Sequence, residues 1–154
     1  MSGDAESVIW KRPYDLLALN RFSAATAVSH LGIEFVDVGP DWLSARIPVD
    51  ARTRQPYGLL HGGCTVVLAE TLGSTGAVLT LPPEWMAVGV EINANHLRAL
   101  REGHATGTAR PLHRGRSTQV WEIRVVGDAG ELVCVSRITL AVVPVKRTIA
   151  GSAA

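Results

Sequence analysis

The sequence predicts an α+β domain in which an antiparallel sheet wraps one long helix. Three observations carry this. A nearly continuous apolar segment, 64–81, opens on Gly62 and Gly63 and is closed by Pro82 and Pro83. Strand-like runs, several with alternating character, stand before and after it. Turn signals such as GPD and DAG separate neighbouring runs, so consecutive strands can pair and turn one face onto the helix.

Taken in order, PYDLLALNRFS has apolar residues near helical spacing, Leu16, Leu17 and Leu19 among them, and predicts a short helix. IEFVDV and WLSARIPV predict two strands joined by a tight turn. In the second, Leu43, Ala45 and Ile47 alternate with Ser44 and Arg46, the pattern of a strand with one buried and one wet face. DARTRQPYGLLHGG predicts a loop broken by Pro56, Gly58, Gly62 and Gly63. A helix follows over about 63–79. Val66, Val67, Leu68, Ala69, Leu72, Ala77 and Val78 cover most of its circumference, which predicts a helix buried on all sides. MAVGVEINANHLRAL, HATGTARPLHRG, STQVWEIRVVG and ELVCVSRITLAVVPV predict four more strands.

The chain of 154 residues fits one domain, 1–154, and its 47% apolar content suffices for a core. The ends, 1–6 and 148–154, are small and polar and are expected to fray. A net charge of +1 does not call for nucleic acid or an anionic membrane as partner. Cys64 and Cys134 are too few for a disulfide framework and lack metal-ligand spacing. MSGDAESVIWKRP carries acids and has no apolar core, unlike a signal peptide. The longest apolar segment is interrupted by Glu70 and makes a poor membrane span. A soluble, cytoplasmic protein is expected.

Glu70 is the conspicuous residue. Burying an unpaired carboxylate is costly, so its place in an apolar helix asks for a reason. Gly62 and Gly63 stand at the helix start, where free amides and the positive end of the dipole can hold a developing oxyanion. Ser74 is at i+4 from Glu70, on the same face. Gln55 and His61 add polar groups from the loop. Together they suit attack on a carbonyl. The residues alone leave other readings open: Glu70 paired with a strand arginine such as Arg98, His61 as a loop histidine, Ser74 as a small packing residue. Cys64, on the first helical turn, is a rival nucleophile. Six residues at about 100° each place it roughly 120° around the helix from Glu70, which favours a packing role.

RTRQPYGLLHGG, VVLAETLGS, VGVEINANH, REGHATGTARPLHRG and QVWEI, in this order, closely resemble the hot-dog-fold acyl-CoA thioesterases. The nearest branch holds small bacterial enzymes acting on aromatic acyl-CoA or aryl carrier-protein thioesters. It includes the enterobactin proofreading, 1,4-dihydroxy-2-naphthoyl-CoA and Arthrobacter-type 4-hydroxybenzoyl-CoA thioesterases. The resemblance runs from Ile9 to about Val143. It implies a hot-dog fold, a dimer with a continuous sheet that pairs into a homotetramer, and an active site at the dimer interface. There Glu70 matches the catalytic carboxylate and Gly62 the oxyanion donor. Gln55 and His61 match residues meeting the thioester from the facing subunit, and Ser74 a hydroxyl placing water. His96 matches a residue lining the acyl pocket, and Thr75 lies beside that pocket. Arg98, Arg116, Ser117 and Lys146 fall at or near positions that contact the CoA nucleotide. Cys64 stands where the family's pattern has alanine, and Thr75 where some relatives have a larger apolar residue.

The expected reaction is hydrolysis of an acyl-CoA or acyl carrier-protein thioester to acid and thiol. Glu70 is nucleophile or general base. No cofactor and no metal are expected, coenzyme A being part of the substrate. The alternatives are a hot-dog hydratase or dehydratase on an acyl thioester, and a non-catalytic acyl-CoA-binding module.

Overall fold

The computed structural model describes residues 8–145. The predicted runs all form: β1 (Glu34–Val38), β2 (Leu43–Pro48), β3 (Trp85–His96), β4 (His104–Arg114), β5 (Thr118–Gly127) and β6 (Leu132–Pro144). They make one antiparallel sheet in the order β1-β2-β4-β5-β6-β3. The long helix, α3 (Gly62–Leu79), lies across it. α1 (Leu16–Phe22) is the predicted short helix, capped by Asp15. α2 (Ala27–His30) was not expected; its one turn is held by a reciprocal Thr26–Ser29 capping box.

Alternation explains the sheet. Ala45 and Ile47 of β2, Trp121, Ile123 and Val125 of β5, and Ile138 and Leu140 of β6 are buried against α3. Small residues set how closely the helix approaches. A Cβ on Gly73 would stand 2.3 Å from Ile138 Cγ2, and one on Gly76 2.7 Å from Trp121 Cζ3. Such contacts fix the roll of the helix.

The expectation of a helix buried on all sides is corrected here. Thr65, Leu68, Ala69, Leu72, Gly73, Gly76, Ala77 and Leu79 are buried, but Gly63 and Glu70 are exposed, and Val66, Val67, Ser74, Thr75 and Val78 only half-buried. The sheet covers one side of α3, and nothing among the described residues fully covers the other. Apolar composition marks both a core face and a face open in the single chain.

The N-terminal segment secures the far end of α3. Lys11 N–H donates to Leu79 O at 2.8 Å, and the Arg12 guanidinium donates to the carbonyls of Leu81 (2.9 Å), Pro82 (2.9 Å) and Trp85. The first satisfies a carbonyl that the helix end leaves without a partner, and the others hold the turn between α3 and β3. Trp10 stacks on Trp121, ring centroids 6.2 Å apart, and its indole N–H donates to Gly39 O.

β3 is a sheet edge, twelve residues long and bonded to β6 alone. Met86, Val88 and Val90 on it are exposed, and its pairing register shifts between Gly89 and Glu91.

Candidate functional site

The loop before α3 is built from its own polar groups. Thr53, fully buried, accepts from Asp50 N–H through its hydroxyl and donates to Pro48 O at 2.6 Å. The Arg52 guanidinium beside Asp50 holds that carboxyl below its usual range. His61 N–H donates to Thr53 O, and Leu60 N–H to Leu100 O. Arg54 bridges Leu60, and Gln55 N–H donates to Leu59 O at 2.8 Å. The result is a small hairpin with Pro56 and Tyr57 at its tip. Gly58 turns it at φ +79°, in the left-handed region that glycine favours.

Gln55 is oriented by this turn. Its Oε1 accepts from Tyr57 N–H, which leaves the two Nε2 hydrogens free to donate. His61 is the N-cap of α3, its Nδ1 accepting from Gly63 N–H at 2.8 Å. The cap spends one nitrogen and leaves Nε2 to meet a ligand. Among the described residues no acceptor takes the Gly62 N–H, while the amides of Gly63, Cys64 and Thr65 are all engaged by His61. Gly62 is thus the open donor at the positive end of the helix. His96, at the end of β3, lies over it: a Cβ on Gly62 would stand 3.0 Å from His96 Nε2. Gln55, Gly62, His96 and Arg98 line a cavity of about 390 Å³ whose other walls are mostly apolar, Leu59 and Leu97 among them.

Glu70 lies elsewhere. It is eight residues along the same helix, about 12 Å from Gly62 at 1.5 Å per residue. Its carboxylate rests on β3, with Oε1 3.2 Å from where a Gly89 Cβ would be, beside a small cleft formed with Val90, Glu91 and Ile92. The pairing with Arg98 does not occur, and the ion pairs among the described residues leave Glu70 out. Nor does Ser74 bond to it: the side-chain hydrogen bonds of this helix and its caps belong to His61 and Thr80. Ser74 and Thr75 instead line a third cavity, about 450 Å³, between α3 and α1.

The basic residues divide into two groups. Arg98 follows β3, whereas Arg116 and Ser117 are exposed in the β4–β5 turn. Ser117 O accepts from Val142 N–H, and Thr118 is level with Ala141 and through it with Val88. From Val88 to His96 is eight strand residues, about 25 Å. One chain therefore does not bring Arg98 and Arg116 together. Lys146 lies outside the described residues, as do the ends 1–6 and 148–154. Among the described residues there is no cluster of His, Cys, Asp or Glu arranged for a metal.

Sequence reasoning passed over two exposed aromatics, Tyr57 at the tip of the hairpin and Phe22 in the lining of the α1–α3 cavity. An aromatic residue set between Pro56 and Gly58 at a turn was the available signal for the first.

Comparison with known proteins gives a consistent picture. The profile of the Thioesterase superfamily matches residues 57–134. The 1,4-dihydroxy-2-naphthoyl-CoA hydrolase of Escherichia coli is 49% identical over 135 residues, covering 88% of this chain and 99% of its own. The proofreading thioesterase EntH of Cronobacter turicensis is 50% identical over 135 residues, 88% of this chain and 98% of its own. A crystal structure of a Haemophilus influenzae thioesterase superposes with a TM-score of 0.89 at 47% identity, covering 91% of this chain and 99% of that one.

Cys64 remains as the rival nucleophile. It is half-buried on the first turn of α3, and burial pushes its thiol pKa up. A raised pKa keeps the sulfur protonated at neutral pH, the opposite of an activated thiol. Alkylation of Cys64 by iodoacetamide at pH 7 should therefore run at least ~10-fold slower than in the unfolded chain, read by mass spectrometry. Cys64→Ala should keep most thioester hydrolysis; loss of hydrolysis would restore the thiol as nucleophile.

Proposed function

The chain belongs to the thioesterase superfamily and is a thioester hydrolase, and on that premise we propose that it cleaves acyl-CoA thioesters at a site shared between two subunits. The observation that carries this reading is the 12 Å between Gly62 and Glu70. An oxyanion donor and the group that attacks, or activates water, must meet one carbonyl within hydrogen-bond reach. Two groups eight residues apart on one straight helix cannot. A second copy resolves this: the Gly62 N–H of one chain meets the partner subunit's Glu70. The long edge β3 and the open face of α3, both displaying apolar residues, supply a surface for such pairing.

In this arrangement the thioester carbonyl accepts from the Gly62 N–H, with the helix dipole behind it. Gln55 donates through Nε2, and His61 and His96 border the same space. The partner's Glu70 either attacks the carbonyl carbon, giving a mixed anhydride that water then opens, or takes a proton from water as it attacks. The partner's Ser74 stands one turn beyond as a hydroxyl for that water. In both routes the C–S bond breaks, the thiolate leaves and is protonated, and the carboxylic acid is released. Expulsion of bulk water by the second subunit strengthens the oxyanion contact.

An aromatic acyl group is supported by the substrate in the name of the E. coli relative and by the apolar cavity beside Thr75. Arg116 and Ser117 suit phosphate oxygens of the CoA nucleotide, and Arg98 lies at the rim of the Gly62 cavity. No cofactor enters the chemistry, and a cytoplasmic location suits a CoA substrate.

Glu70→Gln should fold and bind substrate yet lose at least ~10²-fold in kcat, followed as thiol release from benzoyl-CoA. Thiol release also separates hydrolysis from hydration or simple binding, and near-normal turnover would remove Glu70 from the mechanism. Mixing inactive Gln55→Ala and Glu70→Gln chains, with exchange verified by differential tags, should restore activity, because each hybrid holds one intact site. Verified hybrids that stay inactive would mean that each chain builds its own site. Arg116→Ala should raise KM for acyl-CoA while leaving kcat largely intact, since a nucleotide contact is made equally in ground and transition states. The effect should vanish with an acyl-pantetheine; an equal loss with both substrates would show that Arg116 does not read the nucleotide.

A further inference from the structure

We propose that Tyr57 acts in trans, as a wall of the partner subunit's acyl groove that determines which acyl groups that site accepts. This rests on the shared-site reading above.

The groove lies between α1 and the last two turns of α3. Pro13, Ala18, Leu19, Phe22, Thr75 and Val78 line it, and its surface is largely apolar. Along α3, Ser74 is about 6 Å and Val78 about 12 Å beyond Glu70. An acyl group bound at Glu70 therefore meets the groove directly along the helix. One wall is incomplete. Phe22 projects from the end of α1 with 90% of its surface exposed, and no described residue of the same chain closes the side facing it.

Symmetry says what closes it. If the Gly62 N–H of one chain faces the partner's Glu70, the two-fold operation makes its own Glu70 face the partner's Gly62. The two α3 helices then run antiparallel, with Val66 midway. Gly62, Val66 and Glu70, at i, i+4 and i+8, share a face suited to this. The chain N-terminal to Gly62 must lie beside the partner's helix beyond Glu70, where the groove opens. That segment is the hairpin whose tip carries Tyr57.

Tyr57 is prepared for such a place. Its side chain is 83% exposed in the single chain. The hairpin beneath it is fixed by Gln55 N–H to Leu59 O and Gly58 N–H to Gln55 O, at 2.8 and 2.9 Å. Its own N–H holds Gln55, so the side chain is free of that task. With Phe22 from one subunit and the partner's Tyr57 opposite, the groove is bounded by two aromatic rings. Such a slot favours a planar aromatic acyl group by stacking and edge contacts. Gln55 and Tyr57 thus travel on one turn, the first to the carbonyl, the second to the acyl end.

The test compares kcat/KM for benzoyl-CoA with that for acetyl-CoA. Tyr57→Ala keeps the backbone N–H on Gln55 and removes only the ring. It should lower the benzoyl-to-acetyl ratio about tenfold, and Tyr57→Phe should keep the wild-type ratio. An unchanged ratio in Tyr57→Ala would overturn the proposal. Placement in trans is read from hybrids of Tyr57→Ala chains with Glu70→Gln chains. The one competent site in each hybrid pairs an intact Glu70 with an intact Tyr57 from the other subunit, so hybrids should show the wild-type ratio. Hybrids with the Tyr57→Ala ratio would place the ring in cis and overturn the proposal, even though hydrolysis persists. If the wild-type protein releases no thiol from either substrate, the thioesterase reading fails and this proposal fails with it.

Discussion

A helix spaces its residues by a fixed rise, and that rigidity governs this molecule. Gly62 and Glu70 are bound to the same α3, eight residues and about 12 Å apart. No rearrangement of side chains brings the Gly62 amide and the Glu70 carboxylate to one atom. The remaining architecture keeps this separation and makes it usable. Gly73 and Gly76 let the sheet approach so closely that the helix cannot roll, and this holds Glu70 on the outward side. His61 caps the first turn without spending the Gly62 amide. Arg12 ties the carbonyls just after the helix to the start of β3. The helix becomes a strut with a donor at one end and a carboxylate at its middle.

The loop before the helix is equally constrained. It is held by a buried threonine hydroxyl, a run of backbone bonds and the packing of Leu60 against the core. A loop held this way can present polar and aromatic side chains outward without collapsing onto them. Gln55 illustrates the benefit: its amide orientation is dictated by the Tyr57 backbone N–H, so the direction of its donor end is set by the loop itself. His96, coming from the far end of a twelve-residue strand, completes the same cavity. Residues from three separate stretches of chain converge there because the β3–β4 connection and the hairpin are bonded through Leu60 and Leu100.

Much of this was readable in the sequence because the signals were local. Alternation in LSARIP and QVWEIRVV marked strands with one buried face, and Gly62 with Pro82 and Pro83 bounded the helix. Glu70, Gly62 and Gln55 stood out because charge, glycine and amide are unusual beside so apolar a segment. What was hidden depended on sidedness. Val66 and Val78 look as buried as Leu68 and Leu72 when only hydrophobicity is read, and only packing tells that they face away from the sheet. The Glu70–Arg98 pairing failed for a like reason: Arg98 follows the end of β3 beside Gly62, not beside Glu70. The distance between Arg98 and Arg116 came from strand register, which no short motif records.

β3 carries one more implication. A strand edge with unused backbone donors and acceptors, and with Met86, Val88 and Val90 exposed, is an adhesive strip. A folded chain presents that strip to every other unpaired edge nearby. Clumping through such an edge grows with the concentration of chains. The register shift between Gly89 and Glu91 works against clumping. A kinked edge joins well only with an edge of matching shape. The irregularity that looks like a flaw in the ladder acts as a guard on the strip.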